Sequence, residues 1–180
     1  MRVHVAILLA VLSVAYSSPV AAQDTAEDIL REQVEQVLYG MIGESIDRQL
    51  KVVDLDGAGN VAVGILHRTD AHDTDGEHRG IIHTVISEVY VMLSGWGTLL
   101  TSSEMTNATQ PSAGGDVVGP TYSAQAVGGT VREIAEGDIV VIPAGTLHAW
   151  LSIPDHVTYL SIRPDPHGAL PAGYVRAEIR

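Results

Sequence analysis

The chain predicts an all-β domain, a sandwich or barrel, behind one short helical segment. Three observations carry this expectation. Short apolar or alternating runs recur at 51–55, 60–67, 81–86, 88–93, 97–101, 129–134, 138–142, 146–153 and 157–163, the pattern of half-buried strands. Turn-forming pairs stand between many of them: Asp56-Gly57, Asp75-Gly76, Ser94-Gly95, Glu136-Gly137 and Pro143-Ala144-Gly145. A helical period occurs in one place, where Leu30, Val34, Val37, Leu38, Met41, Ile42 and Ile46 recur at steps of three and four. Strands at this rhythm, without helices between them, exclude alternating βα units.

Taken in order, residues 1–22 have the form of a secretory signal peptide. Arg2 precedes an apolar run from Val5 to Tyr16, and Val20-Ala21-Ala22 offers a cleavage site before Gln23. Twelve apolar residues are too few to span a hydrocarbon core, which needs about 20. A secreted or periplasmic protein is expected, cut after Ala22 and free of the membrane once cut. Residues 23–50 form the helical segment, with Asp24 or Thr25 able to cap its start and Gly40 and Gly43 weakening its middle. Residues 51–165 form the β domain. Within it, segment 103–128 is polar and Gly/Ser-rich, the composition of a long surface loop or lid. The tail after Arg163, with Pro164, Pro166 and Pro171, is expected to be extended and peripheral, residues 166–180 forming a C-terminal extension.

Composition narrows the chemistry. The chain contains no cysteine, which excludes disulfides, thiolate metal sites and a cysteine nucleophile. Its formal charge of −12 argues against nucleic-acid and anionic-membrane partners, since both need a basic face. A metal must therefore rest on His, Asp or Glu, and there are 8 histidines to consider. Asp54–Asn60 has the outline of a calcium loop. It fails at Ala58, which has no side-chain oxygen, and at Ile65, where a bidentate Glu is required.

Two segments carry spaced chemistry. One is His83-(x4)-Glu88-(x6)-Gly95, and the other Gly137-(x5)-Pro143-x-Gly145-(x2)-His148. Together they resemble the two signature motifs of the cupin superfamily, in the right order, across roughly residues 60–163. Chance matches at this composition are expected about 0.04 and about 0.003 times per chain, respectively. The chain is also similar to a branch of small secreted single-domain cupins. The resemblance implies an antiparallel jelly-roll barrel (a double-stranded β-helix) with a metal at its centre, a small-molecule ligand or substrate, and pairing into homodimers.

Strand geometry explains the spacing. Alternate residues of a strand face one side, so His83 and His148 can both enter the interior while Glu88 opens the next strand beside them. Two imidazoles and one carboxylate suit Fe, Mn, Ni or Zn and leave coordination positions open. Ile81, Tyr90 and Trp150 are expected to line the same pocket. Three departures from the motifs stand out: Ile81 occupies the place of a usual first histidine ligand, Asp75 that of the opening glycine, and Ser152 that of a terminal asparagine. His78 is a candidate extra ligand if a bulge re-aims it. The loop His72, Asp73, Asp75, Glu77, His78 is a solvated acidic loop or a second metal site, and Arg68 or Arg163 could clamp a carboxylate. The expected function is a metal-dependent enzyme on a small oxygen-rich molecule, of isomerase, lyase or dioxygenase type. The alternative is a non-catalytic module that binds a small ligand or metal.

Overall fold

A computed structural model describes residues 26–43, 46–73, 75–109 and 118–180. The leader read in residues 1–22 lies outside them. One helix, α1 (Arg31–Tyr39), precedes nine strands: β1 (Ile46–Asp54), β2 (Asn60–His72), β3 (Arg79–His83), β4 (Glu88–Ser102), β5 (Met105–Thr106), β6 (Thr121–Ala126), β7 (Thr130–Ala135), β8 (Ile139–Ile142) and β9 (Leu147–Asp165). All pairings between them are antiparallel. The fold is the all-β antiparallel barrel that the sequence predicts.

Two long strands organise it. β9 has β4 along one edge and β2 along the other, and β1 continues outward from β2. The far edge of β4 takes β8 and then β7. Near its start β9 also meets β3, where Ile81 lies opposite His148, and β3 carries β6 and then β5. Leu66, Tyr90, Met92, Leu99, Val140, Val157 and Tyr159 share one buried cluster. The sheet therefore curls, bringing β2, β4, β8 and β9 around a common interior. Burying each such side chain contributes about 1.5–3 kcal/mol, which is what drives the curl.

The elements differ from the sequence expectation at five places, each for a local reason. The runs 88–93 and 97–101 are one strand, because Ser94-Gly95 is a bulge and not a hairpin turn. The register slips between Met92 and Ser94, and Gly95 takes φ +75°. The slip moves the inward-facing set from Tyr90 and Met92 to Leu99. Likewise 146–153 and 157–163 join through Pro154. A proline is tolerated there because the pairing is interrupted on both edges, between Thr69 and Ala71 of β2 and between Gly95 and Thr98 of β4.

Segment 103–128 is not one loop. It holds β5 and β6, and β6 is the full-length partner of β3. Its polar Thr121, Ser123 and Gln125 hide a strand whose side chains are half-buried or buried. The helical period, finally, overshoots: α1 is followed by a turn at Gly40–Gly43, with Gly43 at φ +87°, and β1 begins at Ile46. Residues after 165 are not peripheral, because Tyr174 and Arg176 hydrogen-bond to Val52 and Leu50. That strap covers the free edge of β1, and Ile179 packs with Val37 and Met41 of the helical segment.

Candidate metal centre

The end of β3, the start of β4 and the start of β9 converge inside the barrel. β3 ends on His83, and residues 84–87 make the short bend that lets Glu88 open β4. The turn Pro143–Thr146, closed by a Thr146 N–H to Pro143 carbonyl bond of 3.1 Å, then delivers β9 and His148. Gly145 adopts φ +81° there, which a β-carbon would strain. The turn is tied to both other segments. Gly145 N–H donates to the His83 carbonyl at 2.8 Å, and Ala144 N–H donates to Ser87 Oγ at 3.1 Å.

His83, Glu88 and His148 are 3%, 1% and 5% exposed, and they form the one cluster of three metal-competent donors among the described residues. His83 Nε2 lies 3.2 Å and His148 Nε2 3.3 Å from the same oxygen, Glu88 Oε2. The proton inventory makes this unusual. His148 Nδ1 lies 3.1 Å from the Thr146 carbonyl, a pure acceptor, so Nδ1 carries the proton of a neutral ring. His83 Nδ1 lies 2.9 Å from Thr121 Oγ1, whose own proton goes to the Gly119 carbonyl at 3.0 Å. Nδ1 is again the donor. Both Nε2 atoms therefore face the carboxylate, as lone pairs when the rings are neutral and as N–H donors when they are protonated, and His148 Nε2 is buried without a well-formed hydrogen bond. With neutral rings, lone pairs meeting in a dry interior repel one another unless a cation sits between them. The donor set fits a divalent transition metal, with two imidazoles oriented by their opposite nitrogens.

Glu88 is held ionised. Burial alone raises its carboxyl pKa. In the protein alone, hydrogen bonds from the His148 and His83 rings and the charge of Arg163 outweigh burial and keep it well below the usual carboxylate range. Its other oxygen, Oε1, accepts from Ser161 at 2.7 Å and from Arg163 Nε at 3.0 Å. Arg163 is wholly buried and also donates to Gln49 (2.7 Å) and Asp47 (2.5 Å). Tyr90 donates its hydroxyl to Glu88 Oε2 at 3.1 Å. Burial first, and then the charge of Glu88, push that phenol well above its ordinary pKa, so it remains a donor.

A cavity of about 240 Å³ opens beside the cluster, with Arg68, Ile81, Tyr90, His148, Trp150 and Tyr159 in its wall. The three residues predicted to line a pocket, Ile81, Tyr90 and Trp150, do so. Ile81 shares strand parity with His83 but is 36% exposed, at the rim. His78 does not join the cluster. It sits before β3 at φ +50°, half exposed and bound to Asp73, so no bulge turns it inward. Of the remaining loop residues, His72 contacts Ser152 and Glu77 pairs with Arg79. Arg163 is no substrate clamp, because Glu88, Asp47 and Gln49 engage it.

Sequence reasoning missed Thr121, Thr146 and Ser161, which orient the three candidate ligands. Thr121 lies in the polar stretch read as loop, and the others act through a carbonyl or a hydroxyl that no motif marks. A second histidine pair lies on the outer sheet face. The His67 and His156 rings stack with centroids 5.7 Å apart, His67 contacts Thr158, and His156 contacts Ser94 and Asp155.

Among solved structures, the chain is similar to a protein of Bacillus halodurans at 15% identity, covering 87% of this chain and 93% of that one with a TM-score of 0.48. It is also similar to an RmlC-like cupin family protein with a double-stranded β-helix fold from Methanocaldococcus jannaschii. There the identity is 14%, the coverage 69% and 86%, and the TM-score 0.37. Oxalate decarboxylase of Bacillus subtilis, a protein with Mn(II) centres, matches at 13% identity with a TM-score of 0.39, and 68% of this chain spans 28% of that one. These are likenesses of architecture. No protein-family profile and no curated protein matches the chain.

Proposed function

Because both motif segments of the antiparallel barrel meet at one buried cluster, we propose that the chain is a cupin and a metal-dependent enzyme acting on a small oxygen-rich molecule. One observation carries the reading: Nε2 of His83 and Nε2 of His148 converge on Glu88 Oε2, at 3.2 and 3.3 Å, in a buried cluster of three metal-competent donors. Fe, Mn, Ni or Zn fits this donor set. When bound, such an ion supplies Lewis-acid or oxygen-activating chemistry, as used by isomerases, lyases and dioxygenases. Around it Tyr90 holds a proton at its hydroxyl, Arg163 and Ser161 fix Glu88, and Trp150 and Ile81 shape the approach. The leader sequence makes the periplasm or cell exterior the place of action, and mature protein beginning at Gln23 is the expected secreted product.

Metal analysis of untagged protein, alongside His83→Ala and His148→Ala, tests the centre. Wild type should carry near-stoichiometric metal and both variants little. Equal, low metal in all three at neutral pH would end the metal reading. Oxygen uptake and a small-molecule screen, with and without the metal, then test turnover. The second reading, a module that binds without turnover, is favoured by Ile81 standing where a fourth ligand would. A metal-loaded protein that turns over no substrate class leaves that reading in place.

A further inference from the structure

The barrel interior holds two arginines in different circumstances. Arg163 is enclosed by two carboxylates and an amide. Arg68 has the same strand parity as the core residue Leu66, so it too points inward, and it lines the cavity beside His148 and Tyr90. Its Nε reaches only the Tyr159 hydroxyl, at 3.5 Å, which is long for a hydrogen bond. That hydroxyl is shared with Trp150 Nε1 at 3.3 Å. Among the described residues, no carboxylate forms an ion pair with Arg68, and its two terminal nitrogens have no hydrogen-bond acceptor. A half-buried guanidinium with its fork unfilled is a receptor for a planar two-oxygen anion.

Charge counting points the same way. Glu88 and Asp47 balance Arg163 and Arg68, so a divalent cation on the cluster leaves the interior two positive charges in excess. The cavity, at about 240 Å³, is smaller than sites for drug-sized ligands. We infer that Arg68 is the specificity residue of this site and that the substrate is a small carboxylate anion. Its carboxylate docks on the Arg68 fork, and its body lies between Ile81 and Trp150 toward His148. The inference rests on the metal reading for its chemistry but not for the binding of the anion.

Formate, acetate and malonate are titrated into wild type, Arg68→Gln and Arg68→Lys, with malonamide as the uncharged control and intrinsic tryptophan fluorescence (Trp150 lies in the cavity wall) as the readout. Calorimetry repeats each titration, and metal content is measured on the same samples. At least one carboxylate should bind wild type at millimolar concentration or below, and malonamide should not. Arg68→Gln should weaken that carboxylate about ten- to hundredfold, Arg68→Lys less, and neither should change the metal content. Binding that is unaltered in Arg68→Gln overturns the inference. So does equal binding of malonamide, or no carboxylate binding at all. If wild type holds no metal, the metal reading fails by itself, and the same titrations still decide the role of Arg68.

Discussion

Replacing Arg163 with methionine removes a cation that is 0% exposed while keeping most of the side-chain length. The hydrogen bonds to Glu88, Gln49 and Asp47 disappear, and two carboxylates lose their counter-charge. Breaking a buried pair from one side costs about 3–5 kcal/mol. At about 2–4 °C per kcal/mol for a chain of this size, Tm should fall by about 6–20 °C. Thermal and urea unfolding are run with chelator present, so that metal binding does not contribute. Glu88→Gln and the double variant complete a cycle, and the double loss should be smaller than the sum of the single losses, because each single leaves a partner stranded.

The cycle has a pH signature with a definite sign. The folded-state pKa of Glu88 lies below its unfolded value of about 4.3. Its contribution is therefore complete above that value and is lost as pH falls through the folded pKa. Without Arg163 the depression shrinks, so the gap between wild type and Arg163→Met should be widest at neutral pH and narrow below about pH 4.3. A Tm loss under about 2 °C, or strict additivity in the cycle, would refute the view that Arg163 compensates the Glu88 charge.

Other outcomes follow from single contacts. Thr121→Val removes the acceptor that holds His83 Nδ1–H, so metal affinity measured by chelator competition should fall about 10- to 100-fold. Unfolding free energy should fall by about 1–3 kcal/mol, the cost of a buried donor left unpaired, and an unchanged affinity rejects the assigned tautomer. Burial, and then the charge of His156, lower the pKa of His67, with Asp155 opposing them. An imidazole harder to protonate when folded adds stability at high pH that is lost as pH falls through its unfolded value of about 6.5. Urea midpoints of wild type minus those of His67→Gln should therefore decline from about pH 7 to pH 5, and a flat difference contradicts the burial argument. Gly95→Ala should cost at least about 2 kcal/mol, because its β-carbon would lie 1.9 Å from the His156 carbonyl oxygen. Gly137→Ala, at φ +88° with nothing within 4 Å, should cost less, about 1–2 kcal/mol. Equal melting points for these two variants would mean that Gly95 is not a packed bulge.

The three candidate ligands were legible before any coordinates because each is bound to a local device: a strand end, a strand start after a short bend, and a glycine turn. Their spacing along the chain therefore maps directly onto their spacing in the barrel. The place of Trp150 in the cavity wall follows from its strand parity with His148. The bulge at Ser94-Gly95 was misread as a turn because a glycine at positive φ serves both, and only the partner strand distinguishes them. β6 is hidden because a half-buried strand of mostly polar and small residues has little apolar signal.

Composition and local pattern were enough to reject thiol chemistry, restrict metal donors to imidazole and carboxylate, and define an antiparallel β domain. These depend on residue identity and on contacts a few positions apart. The difference between the two inward arginines was beyond their reach. Glu88, Asp47 and Gln49 lie 75, 116 and 114 positions from Arg163, so its neutralisation exists once β1, β4 and β9 have curled together. The same closure leaves the Arg68 fork open to the cavity.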